Sequence, residues 1–315
     1  MKYRKLGTAG VRVSEISLGS WLTYGNAVEN ETATRTIDRA YELGINSFDT
    51  ANGYARGEAE KVVGAALAKY PRESYVLATK VFFPMGEGPN DRGLSRKHIM
   101  ESAHASLKRL DKDYVDILYC HRFDPEVPLT ETLRALDDLV RQGKVLYVGI
   151  SEWTAAQIQE AMRVADRLLL DRIVVNQPLY NMLDRKIEDE IIPVSRQVGI
   201  GQVVFSPLAQ GMLTGKYKDL DHLPDGSRAT NDKMNRFIQR YLNAETLDKV
   251  RRLGAVADGL GIPLAQMALA WILEENNVAS ALIGASRPEQ VDQNVKASGY
   301  VLPADALEEI DTILG

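Results

Sequence analysis

Cysteine is almost absent: Cys120 is the only one among 315 residues, which excludes an internal disulfide and a thiolate metal cluster. The four histidines are scattered and no H-E-x-x-H pair occurs, so no metal site is expected. No apolar run approaches the roughly 20 residues that a spanning helix needs. A net charge of −5 and a pI near 5.6 leave no basic footprint for nucleic acid. Met1 to Gly7 has neither the apolar core nor the cleavage site of a secretory leader, so a cytoplasmic location is expected. No G-x-G-x-x-G follows a strand pattern. Gly211 to Tyr217 approaches G-x-x-x-x-G-K-[ST], but it is one residue short and ends in Tyr.

What is present is an ordinary globular composition, 45% hydrophobic and 26% charged. The length admits one large domain or two small ones. Residues 2–5 and 11–14 flank a Gly-Thr-Ala-Gly turn and read as a hairpin. A strand–helix alternation then runs to the end. Strands are expected at Ile16–Gly19, up to Asp49, at Tyr75–Thr79, Tyr114–Cys120, Val145–Ile150, Ile173–Asn176, Gln202–Phe205 and Ala281–Ile283. Helical patterns separate them, with caps expected at Asn30 and Ser95 and a capping box at Thr154 and Gln157. One helix is expected around 187–198, and others at 244–258, 263–274, 289–297 and 303–313. A polar segment from Gln210 to about Asn243 is too long for a simple connection and so reads as functional. Eight strands alternating with helices, with no linker between halves, predict one (β/α)8 TIM barrel over residues 1–315. It would carry an N-terminal β-hairpin, a long loop after the seventh barrel strand and an extra C-terminal helix. A doubly wound open sheet is the competing arrangement.

Polar residues at strand ends favour the barrel, whose active sites lie at the C-terminal strand ends. Asp49 ends one strand, Tyr54 follows a turn at Asn52-Gly53, and Lys80 and His121 close the next two strands. Each alone has an ordinary reading: turn residue, half-buried aromatic, strand-end lysine, loop histidine. Together they suit protonation of an oxyanion. A neighbouring ammonium is expected to lower the phenol's pKa, a carboxylate to keep the ammonium charged, and a histidine to position a carbonyl or relay a proton.

These residues carry a resemblance. Phe48-Asp49-Thr50-Ala51-x-x-Tyr54, Lys80 after Thr79, His121 at its strand end, Phe205-Ser206-Pro207-Leu208-Ala209-Gln210-Gly211 and Gly284-Ala285-Ser286-Arg287-Pro288-Glu289-Gln290 resemble the aldo-keto reductases. The likeness runs from the hairpin to the last helix and is nearest to the bacterial and potassium-channel β-subunit-like branch. It implies Tyr54 as general acid, tuned by Lys80 and Asp49, with His121 orienting the carbonyl. The channel subunits look to carry Asn at the position of His121. It also implies NADPH/NADP+ as cofactor. Ser286, Gln290 and Asn294 match positions around the adenosine and its 2′-phosphate, and Gly284 leads into that segment. Ser206, Pro207, Leu208, Gly211, Lys216 and Arg228 match those along the pyrophosphate. Ser151 and Gln177 match the carboxamide positions, Phe205 the nicotinamide stacking position (where Tyr or Trp is commoner), and Trp21 is included in the cofactor set. Lys216 and Arg228 have the alternative reading of solvated loop charges.

The expected function is reduction of a small-molecule aldehyde or ketone, by a monomer or homo-oligomer. Aromatic pocket walls are expected from Trp21, Tyr24, Phe82, Phe83, Phe123 and Trp153, which could equally be core. The alternative is a cofactor-sensing regulatory or partner-binding subunit with little turnover. A third reading is a barrel lyase forming a Schiff base on Lys80.

Overall fold

In the computed structural model, residues 1–25, 28–230 and 237–315 are described. Residues 231–236, inside the long polar segment, and 26–27 lie outside the described residues.

Strands β1 (Tyr3–Lys5) and β2 (Arg12–Ser14) pair antiparallel as the expected hairpin. Eight further strands follow: β3 (Ile16–Gly19), β4 (Ser47–Asp49), β5 (Val76–Val81), β6 (Val115–Cys120), β7 (Val145–Ile150), β8 (Ile173–Asn176), β9 (Gly201–Phe205) and β10 (Val278–Gly284). All their pairings are parallel, and β10 returns to β3 to close a barrel. The helices are α1 (Asn30–Glu42), α2 (Glu58–Leu67), α3 (Arg96–Leu110), α4 (Leu129–Arg141), α5 (Ala155–Leu168), α6 (Ile191–Val198), α7 (Ala244–Gly259), α8 (Leu264–Glu274), α9 (Pro288–Asn294) and α10 (Ala304–Leu314). The chain therefore folds as a (β/α)8 barrel. Two helices, α7 and α8, occupy the connection from β9 to β10, and the terminal α10 packs on α7. Among the described residues no single helix is long and apolar enough to cross a membrane.

Period-two alternation decides what points into the barrel. Val76 and Ala78 of β5, Ile117 and Tyr119 of β6, Val175 of β8 and Val203 of β9 form an inner cluster, joined from below by Leu6 and Val13 of the hairpin. Their neighbours Leu77, Val81, Leu118 and Cys120 face outward onto the helices. Continuing the inward phase by one step reaches Lys80 on β5 and His121 after β6. Gly149 of β7 has no side chain because a Cβ there would lie 2.5 Å from the Tyr119 ring. The hairpin turn needs Gly7, at φ 54°, where a Cβ would meet the carbonyl oxygen of Gly199 at 2.1 Å.

The expected caps at Ser95 and at Thr154 with Gln157 are both formed. Asn30 is not a cap. It is the first residue of α1, after Glu29, whose side chain makes no capping bond. The helix expected around 187–198 begins only at Ile191, after turns that carry the Glu188 carboxylate to the Tyr180 hydroxyl and Arg185. Tyr70 lies beyond the end of α2 and stacks on Tyr41 at 3.8 Å. The pattern expected to run from 289 to 297 leaves α-geometry after Asn294, in a 3-10 turn over Val295–Ala297.

Helices α2 and α3 touch at Gly64, where a Cβ would stand 2.2 Å from the Leu110 carbonyl oxygen. Overpacking against rigid backbone costs about 1–3 kcal/mol, while alanine's helix propensity returns about 1 kcal/mol. Gly64→Ala should therefore lower the thermal unfolding midpoint. A midpoint equal to or above wild type would show that the two helices separate at no cost.

Candidate active site

The C-terminal ends of the strands gather one polar cluster inside the barrel mouth. Asp49 is the last residue of β4, and parallel pairing sets β5 beside it with Lys80 facing inward. The fully buried Lys80 ammonium binds the Asp49 carboxylate, the Thr50 carbonyl at 2.9 Å and the Tyr54 hydroxyl at 3.2 Å. The other Asp49 oxygen accepts from the Gln177 side-chain amide at 2.9 Å, and Ser151 Oγ donates to the Gln177 carbonyl at 2.8 Å. Tyr54 is brought back over Lys80 by a 3-10 turn, Tyr54–Gly57, in which Ala55 and Arg56 take left-handed conformations. The His121 ring stands edge-on to the Tyr54 ring at 5.7 Å, with its backbone N–H on the Val81 carbonyl. The structure thus brings Asp49, Tyr54, Lys80, His121, Ser151 and Gln177 into one cluster.

Electrostatics there depart from the expectation in one respect. The Tyr54 phenol is held well above its ordinary pKa, chiefly by burial and next by the Asp49 charge, with Arg122 opposing. The lowering expected from Lys80 does not prevail: burial raises the phenol and the Asp49 charge adds to it. Burial also lowers the Lys80 pKa, against the raising influence of Asp49. His121 is driven well below its ordinary pKa by burial, then by Lys80 and Arg122, and its Nδ1 is buried without a protein partner. At neutral pH the site therefore holds a protonated phenol beside an uncharged imidazole.

Of the expected aromatic walls, Trp21 and Phe83 face this cluster. Trp21 lies 6.5 Å from the Tyr54 ring and Phe83 4.8 Å from that of His121. Trp21, Tyr24 and Tyr54 help line a cavity of about 110 Å³. Trp153 is buried core, edge-on to Phe123 at 4.9 Å, and Phe82 packs against the core.

The remaining candidates lie across the mouth, on the loops after β9 and β10. Half-buried Phe205 ends β9, and Ser206, Ala209, Gln210 and Gly211 all take positive φ, at 53°, 46°, 61° and 101°. Pro207 and Leu208 fall inside that turn, and Gln210 reaches back to Ser206 Oγ. Arg228 donates to Gln210 Oε1, and a Cβ on Gly284 would lie 3.4 Å from its Nη2. Arg228 is partly buried, and desolvation lowers its pKa. Among the described residues no carboxylate pairs with it. The Lys216 ammonium lies over the Tyr217 ring at 5.1 Å. Ser286 N and Oγ both meet Gln290 Oε1, at 2.8 and 3.2 Å, and Asn294 is buried at the end of α9. The cofactor candidates thus divide between this loop pair and the central cluster.

Three neighbours were not singled out from the sequence. Tyr119 lies with its ring 5.8 Å from Lys80 Nζ, and its place two residues before His121 on one strand was the available signal. Phe237 packs edge-on against Trp21 at 4.8 Å, but it belongs to the aperiodic long segment, which gives no signal. Arg122 donates to the His121 carbonyl at 2.5 Å.

A parallel closed barrel with this tyrosine–lysine–aspartate–histidine cluster at its C-terminal mouth defines a known class of protein. The sequence profile of the Aldo/keto reductase family matches residues 15–314. A protein of Arabidopsis thaliana named "Probable voltage-gated potassium channel subunit beta" is 43% identical over 319 residues, covering 100% of this chain and 97% of that protein. A protein of Oryza sativa subsp. japonica with the same name is 43% identical over 316 residues, covering 99% and 95%. The chain belongs to the aldo/keto reductase family.

Two measurements follow from the cluster. Removing one partner of a buried ion pair leaves the other uncompensated, at a cost of about 3–5 kcal/mol. Lys80→Met should lose stability of that order in urea unfolding, and Lys80→Met combined with Asp49→Asn should recover most of it. A double variant as unstable as the single one would show that the pairing is not what Lys80 contributes.

The second is a pH dependence. His121 has a folded pKa below its unfolded value near 6.5, so protons bind the unfolded chain preferentially below that pH. Its contribution is nil above about pH 6.5 and turns destabilising as the pH falls, by up to about 1.4 kcal/mol per pH unit. His121→Asn should flatten this part of the acid limb between about pH 6.5 and 5. An unchanged limb would assign the acid sensitivity to other groups.

Proposed function

We propose that the chain is an NADPH-dependent oxidoreductase that reduces aldehydes or ketones to alcohols. The observation that carries the reading is the bond from a fully buried ammonium, itself held by Asp49, to the Tyr54 hydroxyl. A carbonyl oxygen directed at the phenol would meet the Tyr54 proton and the neutral His121 ring together. As negative charge develops on that oxygen, Tyr54 transfers its proton and Lys80 stabilises the phenolate that results. Asp49 keeps Lys80 charged, and Gln177 holds the second Asp49 oxygen.

The donor set fits a phosphorylated dinucleotide. A partly buried guanidinium with no carboxylate partner among the described residues, Arg228, would be compensated by an anion. Lys216, Ser206 and Ser286 add a cation and two hydroxyls. Ser151 and Gln177 would hold the carboxamide and Phe205 would stack on the nicotinamide, with Trp21, Pro207, Leu208, Gly284, Gln290 and Asn294 completing the surroundings. When bound, the reduced nicotinamide supplies hydride to the carbonyl carbon. The expected setting is the cytoplasm.

A second reading, a cofactor-sensing regulatory subunit that binds a protein partner, draws on the channel-subunit names of the two relatives. NADPH oxidation with 4-nitrobenzaldehyde and methylglyoxal separates the two. Tyr54→Phe should keep NADPH binding, read by fluorescence quenching, and lose turnover by at least about a hundredfold. Near-normal turnover in that variant would remove Tyr54 from the mechanism. Wild-type protein that binds NADPH and reduces no carbonyl would favour the regulatory subunit.

A further inference from the structure

The loops on the tyrosine side of the barrel mouth carry both signs of charge: Arg56, Arg92 and Arg122 among Glu87, Asp91, Asp124 and Glu126. Three adjacent strands, β4, β5 and β6, are each followed by a loop carrying an arginine: Arg56, Arg92 and Arg122. Arg56 and Arg92 are exposed and Arg122 is half-buried. Among the described residues none of the three has a carboxylate partner, although the chain carries 43 acidic side chains and most of its other arginines are paired.

Arg122 is the member nearest the chemistry. Its Nη1 donates to the His121 carbonyl at 2.5 Å, and its Cζ lies 5.6 Å from the centre of the Phe83 ring, which is itself 4.8 Å from that of His121. Among the described residues one of its five guanidinium N–H donors has an acceptor, so a planar donor fork remains one aromatic ring away from His121. Its charge is felt at Tyr54, Lys80 and His121 alike. The adjacent carboxylate does not neutralise it: Asp124 is committed to the backbone N–H groups of Leu94 and Glu126.

Arg122 also stands apart from the phosphate-binding candidates. In the closed strand order β6 lies opposite β10, whose loop carries Ser286, and three strands from β9, whose loop carries Lys216 and Arg228. An anion bound at Arg122 is therefore not a phosphate of a dinucleotide held on the β9 and β10 loops.

We infer that Arg122 binds an anionic group of the substrate, so that the preferred carbonyl compounds are aldehydes or ketones bearing a carboxylate. The carbonyl end of this assignment rests on the reductase reading above. A guanidinium fork pairs bidentately with a carboxylate, and the Phe83 face beside it suits the apolar segment between the two functional groups.

The test compares two nearly isosteric aldehydes, 4-carboxybenzaldehyde and 4-nitrobenzaldehyde, with NADPH and the full-length wild-type, Arg122→Met and Arg122→Lys proteins. The ratio of kcat/KM for the carboxylate over the nitro compound should fall about 10- to 100-fold in Arg122→Met, mainly through KM, and recover in part in Arg122→Lys. Raising salt from about 0.05 to about 0.5 M should lower the same ratio in wild type. An equal loss on both aldehydes would overturn the inference, since Arg122 would then act only through Tyr54 and His121. No change on either would overturn it as well. Binding is read independently of turnover by quenching of tryptophan fluorescence with benzoate and benzamide. Preferential benzoate binding that Arg122→Met abolishes upholds the anion site even if neither aldehyde is reduced, and in that event only the reductase reading fails. Equal binding of benzoate and benzamide by wild type removes the anion site.

Discussion

An ammonium with no access to water organises the mouth of this barrel. Lys80 is tolerable at zero exposure only because Asp49, the Thr50 carbonyl and the Tyr54 hydroxyl surround it. Those three acceptors come from β4 and the turn that follows, so the parallel pairing of β4 and β5 must be in register for the charge to be compensated. Gln177, from the far side of the barrel, joins the same network through the second Asp49 oxygen. The cluster therefore ties strands that are not neighbours, and a shift in any of them would expose an uncompensated charge to apolar surroundings.

The same arrangement sets the protonation states. Asp49 neutralises Lys80 closely enough that burial governs Tyr54, and the phenol keeps its proton. The imidazole of His121, facing Lys80 and Arg122, cannot easily become a third cation. A site with one compensated charge pair and two neutral hydrogen-bonding groups is suited to receiving negative charge on a substrate oxygen. A site already carrying a phenolate would have no proton to donate at that moment.

The barrel and its central cluster were largely legible in the sequence, because both follow from strand periodicity. Period two in Val76, Ala78 and Lys80, or in Ile117, Tyr119 and His121, marks the inward face and carries each polar residue to the mouth. Helix boundaries were less legible where tertiary bonds replaced local ones. Glu188 left the helical pattern to accept from Tyr180 and Arg185, and the start at Asn30 gained nothing from its amide. Phe237 and the arginine rim could not be read for a different reason: they belong to loops, where neither spacing nor hydropathy reports which side chains converge. The direction of the Tyr54 shift was not legible because the residue list names the charges but not how deeply the phenol is buried.

The hairpin at the opposite end gives the barrel a closed floor. Leu6 and Val13 insert among Val76, Ile117, Val175 and Val203, and Gly7 lets the turn lie against the backbone of Gly199 and Gly201. Among the described residues the barrel is therefore closed at that end, and on the proposed reading reactant and product share the mouth beside Trp21 and Phe83. Traffic through such a doorway would be sequential, so a slow-leaving occupant would throttle the next arrival.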